Sequence, residues 1–124
     1  MSTFKVCARL GITSYSTSGK GQFKLLVPED NEIPSIRVFG NSDIDHSLEK
    51  ISRQYLGYSF DWLTLVLLSV NKTGEEIYIN YCCMVPPEST IKKGRWENYV
   101  TIYQNTEGKY QGYEEILANI SKII

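Results

Sequence analysis

Histidine is almost absent from this 124-residue chain, where His46 stands alone. Any mechanism that pairs histidine with serine or cysteine must run through that one residue, and no cysteine is spaced to it for such a pair. Cysteine occurs three times, an odd set, with Cys82 and Cys83 adjacent, where a mutual disulfide would be strained. None of the three has zinc-ligand spacing, so all three read as packing thiols of a reducing compartment. An excess of charge of one sign is missing too, with 13 Lys+Arg against 14 Asp+Glu and a net charge of −1. That balance excludes a global pull toward nucleic acid or an anionic membrane. The longest apolar run, Leu63 to Leu68 broken by Thr64, falls far short of the roughly 20 residues a spanning helix needs. Met1 to Cys7 lacks the apolar stretch of a secretory signal, and the expected location is the cytoplasm. Alanine appears only twice, against thirteen isoleucines and nine tyrosines, a usage that suggests an AT-rich bacterial or phage source.

What is present is the composition of a folded protein, 42% hydrophobic and 22% charged. The length suits one domain, residues 1–124, able to bury a core without metal or disulfide staples. Thr3 to Thr13 and Phe23 to Val27 read as a hairpin closed by the flexible run Ser16-Thr17-Ser18-Gly19-Lys20-Gly21. Pro28 and Pro34 bracket an acidic loop, and Ser35 to Phe39 is a short strand ended by Gly40 and Asn41. Ile44, Leu48, Ile51 and Tyr55 then share one face of a helix over 44–56, with Ser42 or Asp43 as cap and Gly57 after the last turn. Trp62 to Val70 is a near-continuous apolar run expected to be a strand covered on both faces. Asn71 to Gly74 would turn it into Glu75 to Val85, which alternates with Ile77, Ile79, Tyr81, Cys83 and Val85 on one face. The pair is expected in the centre of a sheet, ended by Pro86-Pro87. Ile91 to Gly94 leads to a further strand, Trp96 to Tyr103, and Tyr113, Ile116, Leu117, Ile120 and Ile124 mark an amphipathic C-terminal helix. The fold class is therefore α+β, an α/β/α sandwich with a central mixed β-sheet, one helix after the third strand and one at the C-terminus.

That order of elements resembles the Nudix fold. The local text carries the likeness in Val38-Phe39-Gly40 before the helix, in Leu56-Gly57-Tyr58 after it, and in Trp62 onward. It continues in Ile79-Asn80-Tyr81-Cys82-Cys83-Met84-Val85-Pro86 and in Gly94-Arg95-Trp96-Glu97. The family's signature is G-x5-E-x7-R-E-U-x-E-E-x-G-U, with U aliphatic, whose glutamates gather a hard divalent cation that activates water and screens a diphosphate. This chain departs from it. With Gly57 as the last glycine, the arginine position holds Lys50, the helix glutamate positions hold Ile51, Gln54 and Tyr55, and the first glutamate position holds Ser42. With Gly40 as the first glycine, the four glutamate positions hold His46, Tyr55, Tyr58 and Ser59. The resemblance thus implies a Nudix-like domain without the standard hydrolase site.

Few residues are left to carry chemistry. Lys92, Lys93 and Arg95 form a basic cluster beside Trp96; they are suited to hold a phosphate while the indole stacks a base, or equally to form a solvated loop next to a core tryptophan. Asp45 and Glu49, with Asp43 nearby, sit one helical turn apart and suit either a relocated metal pair or the complement of the helix dipole, with Glu49 pairing to Arg53. Ser18 to Gly21 and Lys72 to Gly74 lack the spacing of a phosphate loop and read as hairpin turns. Two asparagine sequons, at Asn71 and Asn119, read as chance matches. The expected function is a non-catalytic binding or assembly module that recognises a protein partner or a nucleotide-containing ligand, with no cofactor and no membrane. The alternative is a Mg- or Mn-dependent hydrolase of a nucleoside diphosphate derivative using Asp43, Asp45, Glu49 or Glu97.

Overall fold

Alternating side chains over Lys5–Tyr15 make β1, the strand on which the other elements assemble. The computed structural model describes residues 4–15, 23–39, 44–57, 64–86, 90–105 and 108–120. Along one edge β1 runs parallel to β5 (Glu76–Val85), in register from Lys5↔Glu76 to Ser14↔Val85. Its other edge is shared by two antiparallel partners. β3 (Ser35–Val38) takes the first half through Val6↔Val38 to Arg9↔Ser35, and β2 (Phe23–Val27) takes the second through Thr13↔Leu25 to Tyr15↔Phe23. β4 (Thr64–Thr73) flanks β5, and β6 (Arg95–Asn98) flanks β2. The result is a mixed six-stranded sheet in the order β4-β5-β1-β2-β6, with β3 set beside β1.

The period of β1 assigns its two faces. Ala8, Leu10 and Ile12 point to one side, where they pack with Leu48, Ile51 and Leu56 of α1 (Ile44–Leu56). On the opposite side Gly11 supplies no side chain, and Ile116 of α3 (Glu114–Ile120) fills the space: a Cβ there would lie 2.8 Å from its Cγ2. Phe23, Leu25, Val27, Tyr110, Tyr113 and Ile116 form the core on that second side. Burying each large aliphatic chain contributes about 1.5–3 kcal/mol against conformational entropy, which is why both faces must be covered. The α/β/α sandwich is present as expected.

Helix α1 begins and ends where the apolar stripe indicates. Gly57, with φ at 82°, adopts the left-handed conformation after the last turn and donates its N–H to the Arg53 carbonyl at 3.0 Å. Buried Cys82 and Cys83 behave as small core residues without a disulfide. Several expectations lie outside the described residues: the turn over 16–21, Gly40 and Asn41, Ser42 and Asp43 as caps, Trp62, Pro87 and residues 121–124.

Three expectations are corrected. The β4–β5 hairpin is not central, because β1 takes β5 as its parallel neighbour and leaves β4 at the sheet edge. Leu67 and Val70 are consequently 56% and 59% exposed instead of covered on both faces. The turn sits later than Asn71–Gly74, since β4 continues to Thr73 and pairs with Glu76, with Gly74 at φ 63°. Finally, the strand over 96–103 stops at Asn98 and continues as a short helix, α2 (Tyr99–Gln104). Its β-branched and aromatic text favours a strand locally. Stacking of Tyr99 on Phe23, ring centroids 4.3 Å apart, together with full burial of Ile102, overrides that preference.

Candidate functional site

A cleft of about 570 Å³ opens where three segments meet: Pro28, Glu29 and Asp30 after β2, Tyr55 in the last turn of α1, and Lys92, Lys93 and Gly94 before β6. Local backbone chemistry fixes each wall. The Lys92 N–H donates to the Tyr55 carbonyl at 2.7 Å, satisfying one of the orphan acceptors at the end of α1. The Lys92 stem lies against Gly57, where an added Cβ would approach its Cδ to 2.8 Å. Its cation therefore stands at the negative end of the helix dipole. Gly94, at φ 82°, lets the chain pass close to β2, since a Cβ there would meet the Val27 carbonyl oxygen at 2.7 Å.

The acidic wall is held by a different set of bonds. Arg95 donates through Nη1 to the Pro28 carbonyl at 3.3 Å and through Nη2 to Asn31 Oδ1 at 2.6 Å. Its Nε donates to Glu97 Oε1 at 2.9 Å, and this bond is the largest of the effects that raise the guanidinium pKa. Asp30 Oδ1 accepts the Glu32 N–H at 3.0 Å, and Asn31 takes the left-handed φ of 61°. From below, Gln111 donates its N–H to the Asn31 carbonyl at 2.9 Å.

Burial raises the Tyr55 phenol above its ordinary pKa, and nearby Asp30 adds to the effect. Tyr113, buried beneath, is raised more strongly, first by desolvation and then by Tyr55 and Asp30, while its hydroxyl donates to the Leu26 carbonyl at 2.9 Å. Both phenols thus stay neutral at physiological pH. They can accept or donate hydrogen bonds but do not act as bases there.

Of the residues singled out from sequence, Lys92 and Lys93 line the cleft. Arg95 is engaged as a clamp on the β2–β3 loop, and half-buried Trp96 packs against the α1-side core. Asp45 is exposed in the first turn of α1, and Glu49 pairs with Arg53 at 2.7 Å. Ten residues separate Asp45 from Tyr55, which along a helix is about 15 Å. Exposed His46 lies on the same early turns. Tyr55 and Pro28–Asp30 are the cleft residues that sequence reasoning missed. On sequence alone Tyr55 counts as part of the apolar stripe, and the two prolines mark 28–34 only as a loop.

Among the described residues no three of His, Cys, Asp and Glu gather closely enough to hold a metal ion, and no helix is long and apolar enough to cross a membrane. A sheet with β1 and β5 in parallel, α1 after the third strand and α3 on the far face is the Nudix-like fold. Solved structures agree. The NUDIX domain of Shewanella oneidensis NrtR, complexed with ADP ribose, superposes with a TM-score of 0.71 at 7% identity, covering 99% of this chain and 90% of that one. The C-terminal domain of mouse MUTYH, in complex with human PCNA, matches at a TM-score of 0.66 and 14% identity, covering 96% of this chain and 88% of that one. A MutT/nudix family protein from Enterococcus faecalis matches at a TM-score of 0.61 and 14% identity over 77% of this chain, which spans only 44% of that protein. No protein-family profile matches the chain, and no curated protein matches it by sequence.

Proposed function

We propose that residues 1–124 form one Nudix-like domain of the cytoplasm that binds a nucleotide-containing ligand in this cleft without hydrolysing it. The observation that carries the reading is the pair of exposed ammonium groups, Lys92 and Lys93, on a cleft whose other lining includes Tyr55. In the register that ends at Gly57, Tyr55 stands at the last helix glutamate position of the Nudix signature, so the cleft occupies the place where that signature would present a diphosphate to a cation. The neighbouring signature positions hold buried Ile51 and exposed Gln54. An aliphatic group, an amide and a phenol do not fit a hard divalent cation, which takes carboxylate oxygens. Two lysines instead offer a phosphate direct charge, and a phenol ring offers a base or sugar an apolar face. The ADP ribose held by the NrtR domain supports the same class of ligand for this fold.

A hydrolase built on Asp45 and Glu49 is less well supported. Asp45 lies about 15 Å and Glu49 about 9 Å back along α1 from Tyr55, and Glu49 is occupied by Arg53. A protein partner is the second reading, favoured by the edge position of β4 among the described strands and by exposed Leu67 and Val70.

Thermal shift with nucleotides, dinucleotides and nucleoside diphosphate sugars, with and without Mg²⁺ or Mn²⁺, tests the proposal. A ligand at about 100 times its dissociation constant should stabilise the fold by about 2.7 kcal/mol. That shift should be independent of metal and lost in Lys92→Ala/Lys93→Ala. Metal-dependent turnover that disappears in Asp45→Asn and Glu49→Gln would replace binding with hydrolysis. Absence of any shift would favour the protein partner.

A further inference from the structure

The two faces of β3 meet different surroundings. Ile36 and Val38 pack against the core under α1, whereas Ser35 and Arg37, on the α3 side, are exposed. The α3-side core draws on β2, β4, α2, α3 and their loops, but on no side chain of β1 or β3. On the N-terminal side of Gly11, β1 presents Arg9, Cys7 and Lys5 to that face, and the register sets Tyr78 on one side of Cys7 and Arg37 on the other. Arg9 confirms the side, since its Cζ lies 3.6 Å from where a Cβ on Gly112, just before α3, would stand. The cations here rest on rings. Arg9 Cζ lies 3.5 Å from the Tyr78 ring centroid, and Arg37 Cζ lies 5.1 Å from that of Phe39, which is 56% exposed. The ion pairs among the described residues, Glu49–Arg53 and Glu97–Arg95, involve neither arginine and not Lys5. On this face of β1, β3, β4 and β5 the one carboxylate among the described residues is Glu76, which accepts the Tyr78 hydroxyl.

We infer that this open part of the sheet, built on Lys5, Arg9, Arg37, Phe39 and Tyr78, is a docking face for single-stranded nucleic acid. None of these residues lines the cleft, so the face is independent of the binding reading above. Three cations against one carboxylate complement a phosphate backbone, a local excess that the net charge of −1 over the whole chain conceals. A guanidinium stacked on a ring is held in place while the N–H donors at its edge remain available to phosphate oxygens. The exposed ring of Phe39 offers a base its face. A base can take that place only when it is unstacked from its neighbours, which selects a single strand over a duplex. An acidic peptide would satisfy the cations and leave the ring unused.

Fluorescence anisotropy on the full chain provides the test, with labelled RNA and DNA single strands of about 12 nucleotides, the matching duplexes and polyglutamate as competitor. Over about 50 to 200 mM salt, log K for a single strand should fall against log salt with a slope of about −2, as three phosphate contacts give. Arg37→Gln should reduce that slope by about 0.7. Phe39→Ala should weaken binding by about tenfold. Both side chains are exposed, so neither substitution opens the core. Lys50→Gln removes an exposed cation on α1, across the sheet, and should bind as the wild type does. Binding of either RNA or DNA with this pattern supports the face, and failure of both to bind overturns it. So does unchanged binding in Arg37→Gln and Phe39→Ala, an equal loss in Lys50→Gln, or a preference for duplex. Displacement of the strand by polyglutamate of equal charge at equal concentration would replace nucleic acid with an acidic protein partner.

Discussion

Arg95 shows how much of the site depends on a residue that does not line it. Its guanidinium reaches the Pro28 carbonyl, Asn31 and Glu97 at once, a use of planar geometry that a lysine cannot reproduce. Gly11 is the converse case, important for what it lacks. Ile116 Cγ2 stands where its Cβ would be, 2.8 Å away, whereas nothing lies within 4 Å of a Cβ placed at Gly108. Gly11→Ala should therefore destabilise the protein by about 1–3 kcal/mol in urea unfolding through overpacking. Gly108→Ala should fall within about 0.5 kcal/mol of the wild type. Equal effects of the two substitutions would show that α3 yields freely and that Gly11 is not a packing requirement.

Among the elements, α2 is held by two side chains. Tyr99 stacks on Phe23 at an interplanar angle of 9°, and Ile102 is fully buried, while Tyr103 is 68% exposed. Ile102→Ala should cost about 2–5 kcal/mol, the usual range for deleting a buried aliphatic chain. Tyr103→Ser should change stability by less than about 0.5 kcal/mol. Denaturant melts of the two variants separate a packed helix from a frayed one. The same helix marks the limit of what the sequence discloses. Helix α1 was readable because its apolar stripe, its length and Gly57 agree with one another, and the β1–β2 hairpin because two apolar runs flank a turn. Tyr99 to Tyr103 has strand-like residues, and its helical form goes with contacts distant in sequence, the ring of Phe23 and the core that buries Ile102. The edge position of β4 was hidden for a related reason: an apolar run states that a strand has cover, but the choice of β1 as parallel neighbour for β5 decides how much. The cleft was half legible. Lys92 and Lys93 drew attention as a charged pair, whereas Glu29, Asp30 and Tyr55 belong to segments that become a site only when β2, α1 and β6 converge.

The molecule as a whole should be sensitive to alkali. Burial raises the Cys82 thiol from 9.0 to about 11, and Cys83 and Tyr113 are raised as well, by the same removal from water. In each case the folded protein keeps its proton to a higher pH than the unfolded chain does. Between 9.0 and about 11 the unfolded chain has released the Cys82 proton while the native state retains it, so stability is complete below that window and falls as pH rises through it. Urea midpoints measured from pH 7 to pH 11 should be level at first and then decline above about pH 9. A flat profile would mean that the thiols and Tyr113 are not withdrawn from solvent. Below pH 8, alkylation of Cys82 and Cys83 should require denaturant, because both side chains are fully buried.

The parallel pairing of β1 with β5 also sets a schedule for the nascent chain. Lys5 waits for Glu76, 71 residues later, before the edge of β1 is closed. At a synthesis rate of about 5–20 residues per second, that edge stays open for roughly 4–14 s. Over the same interval β2 and β3 can occupy only the opposite edge. Translation arrested before β5 should therefore leave a three-stranded fragment that proteases cleave and chaperones hold, and resistance to both should appear only once the second half of the sheet has emerged.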